Sequence, residues 1–119
     1  MRNLDQIRAS NALAFAEKGP VKGVNEGEVI KKIPPLIMNH GLLATAAFSY
    51  SENEGWQSVF DAIAQHLSCK EVGVLPESCS GRKSMMQFLA DKSDSETLKH
   101  ATAETMAWLS YARRFVKKK

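Results

Sequence analysis

Hydrophobic residues recur along this chain at intervals of three and four. β-branched alternating runs are absent, so the pattern predicts helices throughout and no strand. A first helix spans about Leu4 to Lys18, with Asn3 as its N-cap and "GP" at Gly19 and Pro20 as its stop. A second runs from about Asn25 to Lys32, with Val29, Ile30 and Ile33 on one face. It should end at "IPP", because a residue before proline is pushed out of the α region. Pro34 or Pro35 then opens a third, "PPLIMNHGLLATAAFSY", with Leu36, Ile37, His40, Ala44, Ala47 and Phe48 along one side. "SENEG" breaks it.

The fourth helix, "WQSVFDAIAQHL", sets Trp56, Val59, Phe60, Ile63 and Leu67 at helical spacing. After it comes the one long loop, "SCKEVGVLPESCSG", and then a short helix, "KSMMQFLAD". Ser93 and Glu96 form a capping-box arrangement for the last helix, which is expected to run to the C-terminus over roughly 34 Å. The expected fold is all-α, a compact bundle of five to six helices with a long C-terminal helix, in one domain over residues 1–119.

Projected at about 100° per residue, the last helix has one broad apolar face of Leu98, Ala101, Thr105, Trp108, Leu109, Ala112, Phe115 and Val116. Opposite lie Lys99, Ala103, Met106, Ser110, Arg114 and Lys117: a nearly uncharged middle between cationic ends. That middle suits docking of another subunit. Terminal cations answer the helix dipole for about 0.3–1 kcal/mol each. Arg113, Arg114, Lys117, Lys118 and Lys119 exceed that requirement, which leaves phosphate or partner binding open beside a solvated helix end.

Net charge is +3, which is mild, but its distribution is uneven. Residues 81–119 sum to +5, residues 25–80 to −4 and the first 24 to +2, so positive potential is expected near the chain ends. An apolar share of 44% with 24% charged residues is that of a soluble globular protein. No apolar run nears the roughly 20 residues of a membrane span, and "MRNLDQIRAS" lacks a signal-peptide core, so a cytoplasmic location and no membrane partner are expected. Two cysteines, Cys69 and Cys79, are too few for a disulfide framework.

Chemistry is sparse. His66, Cys69 and Cys79 match no familiar zinc spacing and lack a fourth ligand, so neither metal nor cofactor is expected. Nucleophile triads, glycine-rich phosphate loops and paired-carboxylate signatures are missing, and enzymatic activity is not expected. Gly41 interrupts a helical pattern, which fits either a close helix crossing or an approach surface for a partner backbone beside Asn39 and His40. A helix-turn-helix DNA reader would use "WQSVFDAIAQHL" as its recognition helix. That stretch has no Lys or Arg and carries Asp61, so it is a weak rival.

Two stretches together resemble a known family. "IPPLIMNHGLLATAAF" is similar to its Leu-Pro, apolar pair, Asn-Gly-Leu and small residues ending in Ala-Phe. "ETMAWLSYARRF" is similar to its final-helix pattern. The family is the small α-helical subunit of the type III-B CRISPR RAMP-module (Cmr) effector complex. Ile33, His40 and Tyr111 depart from its usual Leu, Asn and Trp.

The resemblance implies a non-catalytic subunit that stacks in several copies beside the RAMP backbone subunits and contacts guide and target RNA. Arg113 and Arg114 match the family's Lys-Arg pair and are expected to face RNA phosphates or acidic neighbours, with Lys117 beyond them. Lys31, Lys32, Arg8 and Lys18 are weaker phosphate candidates. Met106, Ser110, Lys99 and Ala103 are the expected subunit interface. Two other readings stand beside this one: a helical protein–protein adaptor without nucleic-acid contact, and a small DNA-binding regulator.

Overall fold

In the computed structural model, residues 2–18, 26–52 and 54–116 are described, and among them are five α-helices, one 3-10 turn and no strand. The helices are α1 (Leu4–Glu17), α2 (Glu26–Ser49), α3 (Glu54–Ser68), α4 (Arg82–Asp91) and α5 (Ser95–Phe115); the 3-10 turn is Glu77–Cys79. Gly19, Pro20, Asn25 and Lys117 to Lys119 lie outside the described residues.

α1 begins where expected. The Asn3 side chain accepts from the Gln6 backbone N–H at 2.9 Å, and the Gln6 side chain accepts in return from the Asn3 N–H at 2.8 Å. Its sequence is weakly amphipathic, and only Ile7, Ala12 and Phe15 are buried.

The break expected at "IPP" does not occur: α2 runs straight through Pro34 and Pro35. Each proline removes a backbone donor, at about 3 kcal/mol for an interior position. Ile30, Ile33 and Ile37, at most 2% exposed, flank the interruption, and their burial is worth about 1.5–3 kcal/mol each. Core packing on both sides therefore outweighs the lost hydrogen bonds.

The discontinuity comes seven residues later, at Gly41, with φ +87° and ψ 164°. Of the two roles expected for this glycine, the close helix crossing does not hold. A side-chain carbon placed there would meet no heavy atom within 4 Å, so no close helix crossing requires it. What requires it is the backbone angle, which only glycine adopts readily. The Thr45 hydroxyl donates to the Gly41 carbonyl at 2.8 Å and steadies the restart.

One residue out of phase shifts the buried stripe by one position. Val29, Ile30, Ile33 and Ile37 face inward before the kink, and Leu42, Thr45, Ala46 and Ser49 after it. Ala44, Ala47 and Phe48, expected on the same side as Ile37, are exposed for that reason, and His40, just before the kink, is exposed as well.

α3 is the centre of the bundle, packed against the other four helices, with Trp56, Val59, Phe60, Ile63 and Leu67 buried as its spacing predicts. The loop after it is pinned, Leu75 N–H donating to Leu67 at 3.0 Å while Leu75 and Cys79 are buried. Asp61 of α3 accepts from the Arg82 backbone N–H at 2.9 Å, fixing the start of α4. The expected capping box on α5 is replaced by Asp94, whose carboxylate accepts from the Thr97 N–H at 2.8 Å and is held below the usual carboxylate range by that bond. Ser93 instead donates back to Leu89. α5 ends at Phe115, where Val116 turns to extended backbone.

Gly41→Ala is expected to lower stability by about 1–3 kcal/mol although the site has room for a methyl group, because the loss is in the backbone. Urea unfolding checks this; an unchanged midpoint would refute the φ argument.

Candidate nucleic-acid and subunit interface

α5 carries the candidate interface, and its position is fixed by a buried polar cluster that sequence reading missed. Glu104 lies among core residues of α5, 6% exposed. Arg8 of α1 grips it through two parallel bonds of 2.7 Å, Nε to Oε2 and Nη2 to Oε1. His66 of α3, 2% exposed, lies with Nε2 at 2.9 Å from Oε2, and the Asn11 amide of α1 meets its Nδ1 at 2.9 Å. Trp108 packs beside the ring, 5.9 Å between centroids.

The protonation states follow from the surroundings. Burial pushes the Glu104 carboxyl up, but the hydrogen bonds from Arg8 and His66 win and hold it below its ordinary value. Burial lowers His66, and the Glu104 hydrogen bond only partly offsets this, so the ring is neutral near pH 7. A neutral ring with its proton on Nε2 donates to Glu104 and accepts from Asn11, which satisfies both nitrogens. Arg8 is raised, chiefly by its Glu104 bond, and stays charged. The sequence did hold a signal: Glu104, His66 and Arg8 each fall on an apolar helix face.

This cluster weighs against one expectation: the Arg8 guanidinium, expected as a phosphate candidate, is committed to Glu104 and, at 2.9 Å, to Asp5. Lys18 is exposed and lines a polar hollow of about 500 Å³ that Glu54 and Asp61 also line. Lys31 and Lys32 are exposed on the outer side of α2. Arg113 and Arg114 are exposed in the last turn of α5, and neither is ion-paired among the described residues. Lys117 lies outside the described residues.

Two of the expected subunit-contact residues fall together with the Gly41 kink. Lys99 and Ala103 of α5, with Leu98 and Thr102, form one wall of an open apolar groove of about 690 Å³; His40, Gly41, Leu43 and Ala44 of α2 form the other. Met106 and Ser110 continue the same side of α5 but do not line the groove. Met106 is half-buried against the core, and the exposed Ser110 donates to the Ala107 carbonyl at 2.8 Å.

Among known families, the model described as CRISPR-associated protein (Cas_Cmr5) matches residues 4–118. The chain belongs to the CRISPR-associated Cmr5 family. It is therefore a small subunit of a type III-B CRISPR (Cmr) effector, as the two sequence stretches implied. The crystal structure of a Cmr5 family protein from Thermus thermophilus is similar to this Cmr5 chain, with a TM-score of 0.73 over 96% of this chain and 95% of that one. Sequence identity is 22%, so the likeness is one of fold. No curated protein matches the chain in sequence. Among the described residues, no helix of this Cmr5 protein is long and apolar enough to cross a membrane.

The cluster makes stability depend on pH in a defined direction. His66 binds its proton more weakly folded than unfolded, so stability falls as pH drops below about 6.5. Glu104 adds a further loss at lower pH, as the solution approaches and passes below the unfolded carboxyl value near 4.3. In chemical unfolding across pH 4–8, His66→Gln is expected to flatten the upper part of that decline. Glu104→Gln is expected to cost about 3 kcal/mol at pH 7 by leaving the half-buried Arg8 with only the exposed Asp5 as a charged partner. A pH profile shared by wild type and His66→Gln would rule His66 out as the titrating group.

Proposed function

We propose that this Cmr5 chain is a non-catalytic scaffold subunit of its effector, stacking in several copies beside the RAMP backbone subunits and meeting guide and target RNA through the cationic end of α5. The carrying observation is Arg113 beside Arg114, both exposed and unpaired among the described residues, at the open end of the longest amphipathic face. Lys117 follows three residues on, and Lys31 and Lys32 are secondary candidates on α2. Such contacts hold phosphates and read no sequence, which suits a system in which guide pairing selects the target.

A role as a helical adaptor without nucleic-acid contact has its own support in the α2–α5 groove. The DNA-regulator reading loses support, because α3, its only candidate recognition helix, is buried on most sides.

Arg113→Ala with Arg114→Ala is the decisive variant, in assembled effector binding single-stranded target RNA at several salt concentrations. Losing two phosphate contacts is expected to make the slope of log K against log salt shallower by about 1.4, with affinity falling at low salt. Unchanged slope and affinity, together with no RNA protection beside this subunit, would favour the adaptor.

A further inference from the structure

The α2–α5 groove has a matching surface elsewhere on the same chain. It is open, walled by Leu, small residues and His40, with Lys99 in its lining and no carboxylate among the described residues that line it. A complementary occupant is a helix side with one large apolar residue, small neighbours and an acid one turn away.

Five large apolar side chains are exposed among the described residues: Leu4, Leu13, Met38, Phe48 and Tyr50. Tyr50 is covered by the Arg82 guanidinium at 4.4 Å, and Phe48 packs edge-on to Trp56 at 5.3 Å. Leu4 has Ile7 and Arg8 one turn on, and Met38 has Pro34, Pro35, Gly41 and Leu42 one turn away, so neither offers the acid that a groove edged by lysine asks for. Leu13 is 45% exposed, sits between the exposed small residues Ser10 and Ala14, and has exposed Glu17 one turn away.

We infer that the Leu13 side of α1 in one copy docks into the α2–α5 groove of the next copy, with Glu17 reaching Lys99. This rests on the stacking reading above and assigns its faces. α1 meets α5 through Glu104 and Trp108, whereas the groove uses Leu98, Thr102 and Ala103, so the two surfaces lie on different flanks of α5. A contact between two different faces leaves one of each free on every added copy, so repetition extends the stack unless the rotation between copies closes a ring. One helix side buries less than the roughly 1,200 Å² of a stable pair, so the contact needs the high local concentration along an RNA-bound complex.

Engineered disulfides in assembled effector test this, using Leu13→Cys and Ala103→Cys in a Cys69→Ser background; both positions are exposed, and far-UV circular dichroism confirms folding. The double variant is expected to give an oxidised ladder of three or more copies, and a mixture of the two single variants to stop at dimers. Glu17→Lys or Lys99→Glu should lower the yield about two- to fivefold, and the two together should restore it. Several copies per complex without a ladder, or yields indifferent to the charge reversals, would overturn the docking alone. One copy per complex would overturn the stacking reading and the docking with it.

Discussion

The carboxylate of Glu104 is nearly cut off from water, and three helices are committed to keeping it satisfied. Arg8 reaches it from α1 with a fixed two-pronged geometry, and His66 reaches it from α3. A buried ion pair adds little net stability, because the desolvation of both charges offsets most of their attraction. Its effect is on position. α1 buries only three apolar side chains, and such a helix could slide along the bundle at small cost. Sliding by even one residue would take Arg8 away from Glu104 and leave a buried carboxylate with only the neutral His66 as partner, which costs several kcal/mol. The polar cluster thus sets where α1 sits, and with it which side of α1 faces outward.

A second constraint acts on α2. Gly41 takes one residue out of helical phase, so the inward stripe moves from the Ile37 register to the Leu42 register. Without that slip, Ala44 and Phe48 would have continued the buried side. With it, small residues and a backbone corner face outward beside α5, and the groove follows. The prolines seven residues earlier look like the stronger punctuation, yet buried isoleucines on both sides hold the helix together across them.

Charge follows the same logic of prior commitments. Arg8 is consumed by Glu104 and Asp5, Arg2 pairs with Glu71 at 2.7 Å, and Arg82 lies over Tyr50. Arg113 and Arg114 belong to the last turn of α5, beyond the reach of these partners, and keep their charge at the surface. Of the five arginines, Arg113 and Arg114 are the two that the fold has not engaged among the described residues.

Helix content, the segments α1, α3, α4 and α5, the core of α3 and the apolar face of α5 were legible in the sequence, because each rests on spacing within one segment. The family was legible as well, from two stretches whose side chains recur in order. The end of the second helix, the inward side of the third and the capping box on α5 were misread, because local rules for proline, phase and serine were overruled by burial, by a positive φ at Gly41 and by Asp94. Tertiary structure alone decided which polar residues meet. Arg8 and Glu104 are 96 positions apart, His66 and Glu104 38, and no periodicity within a helix can announce a partner on another one.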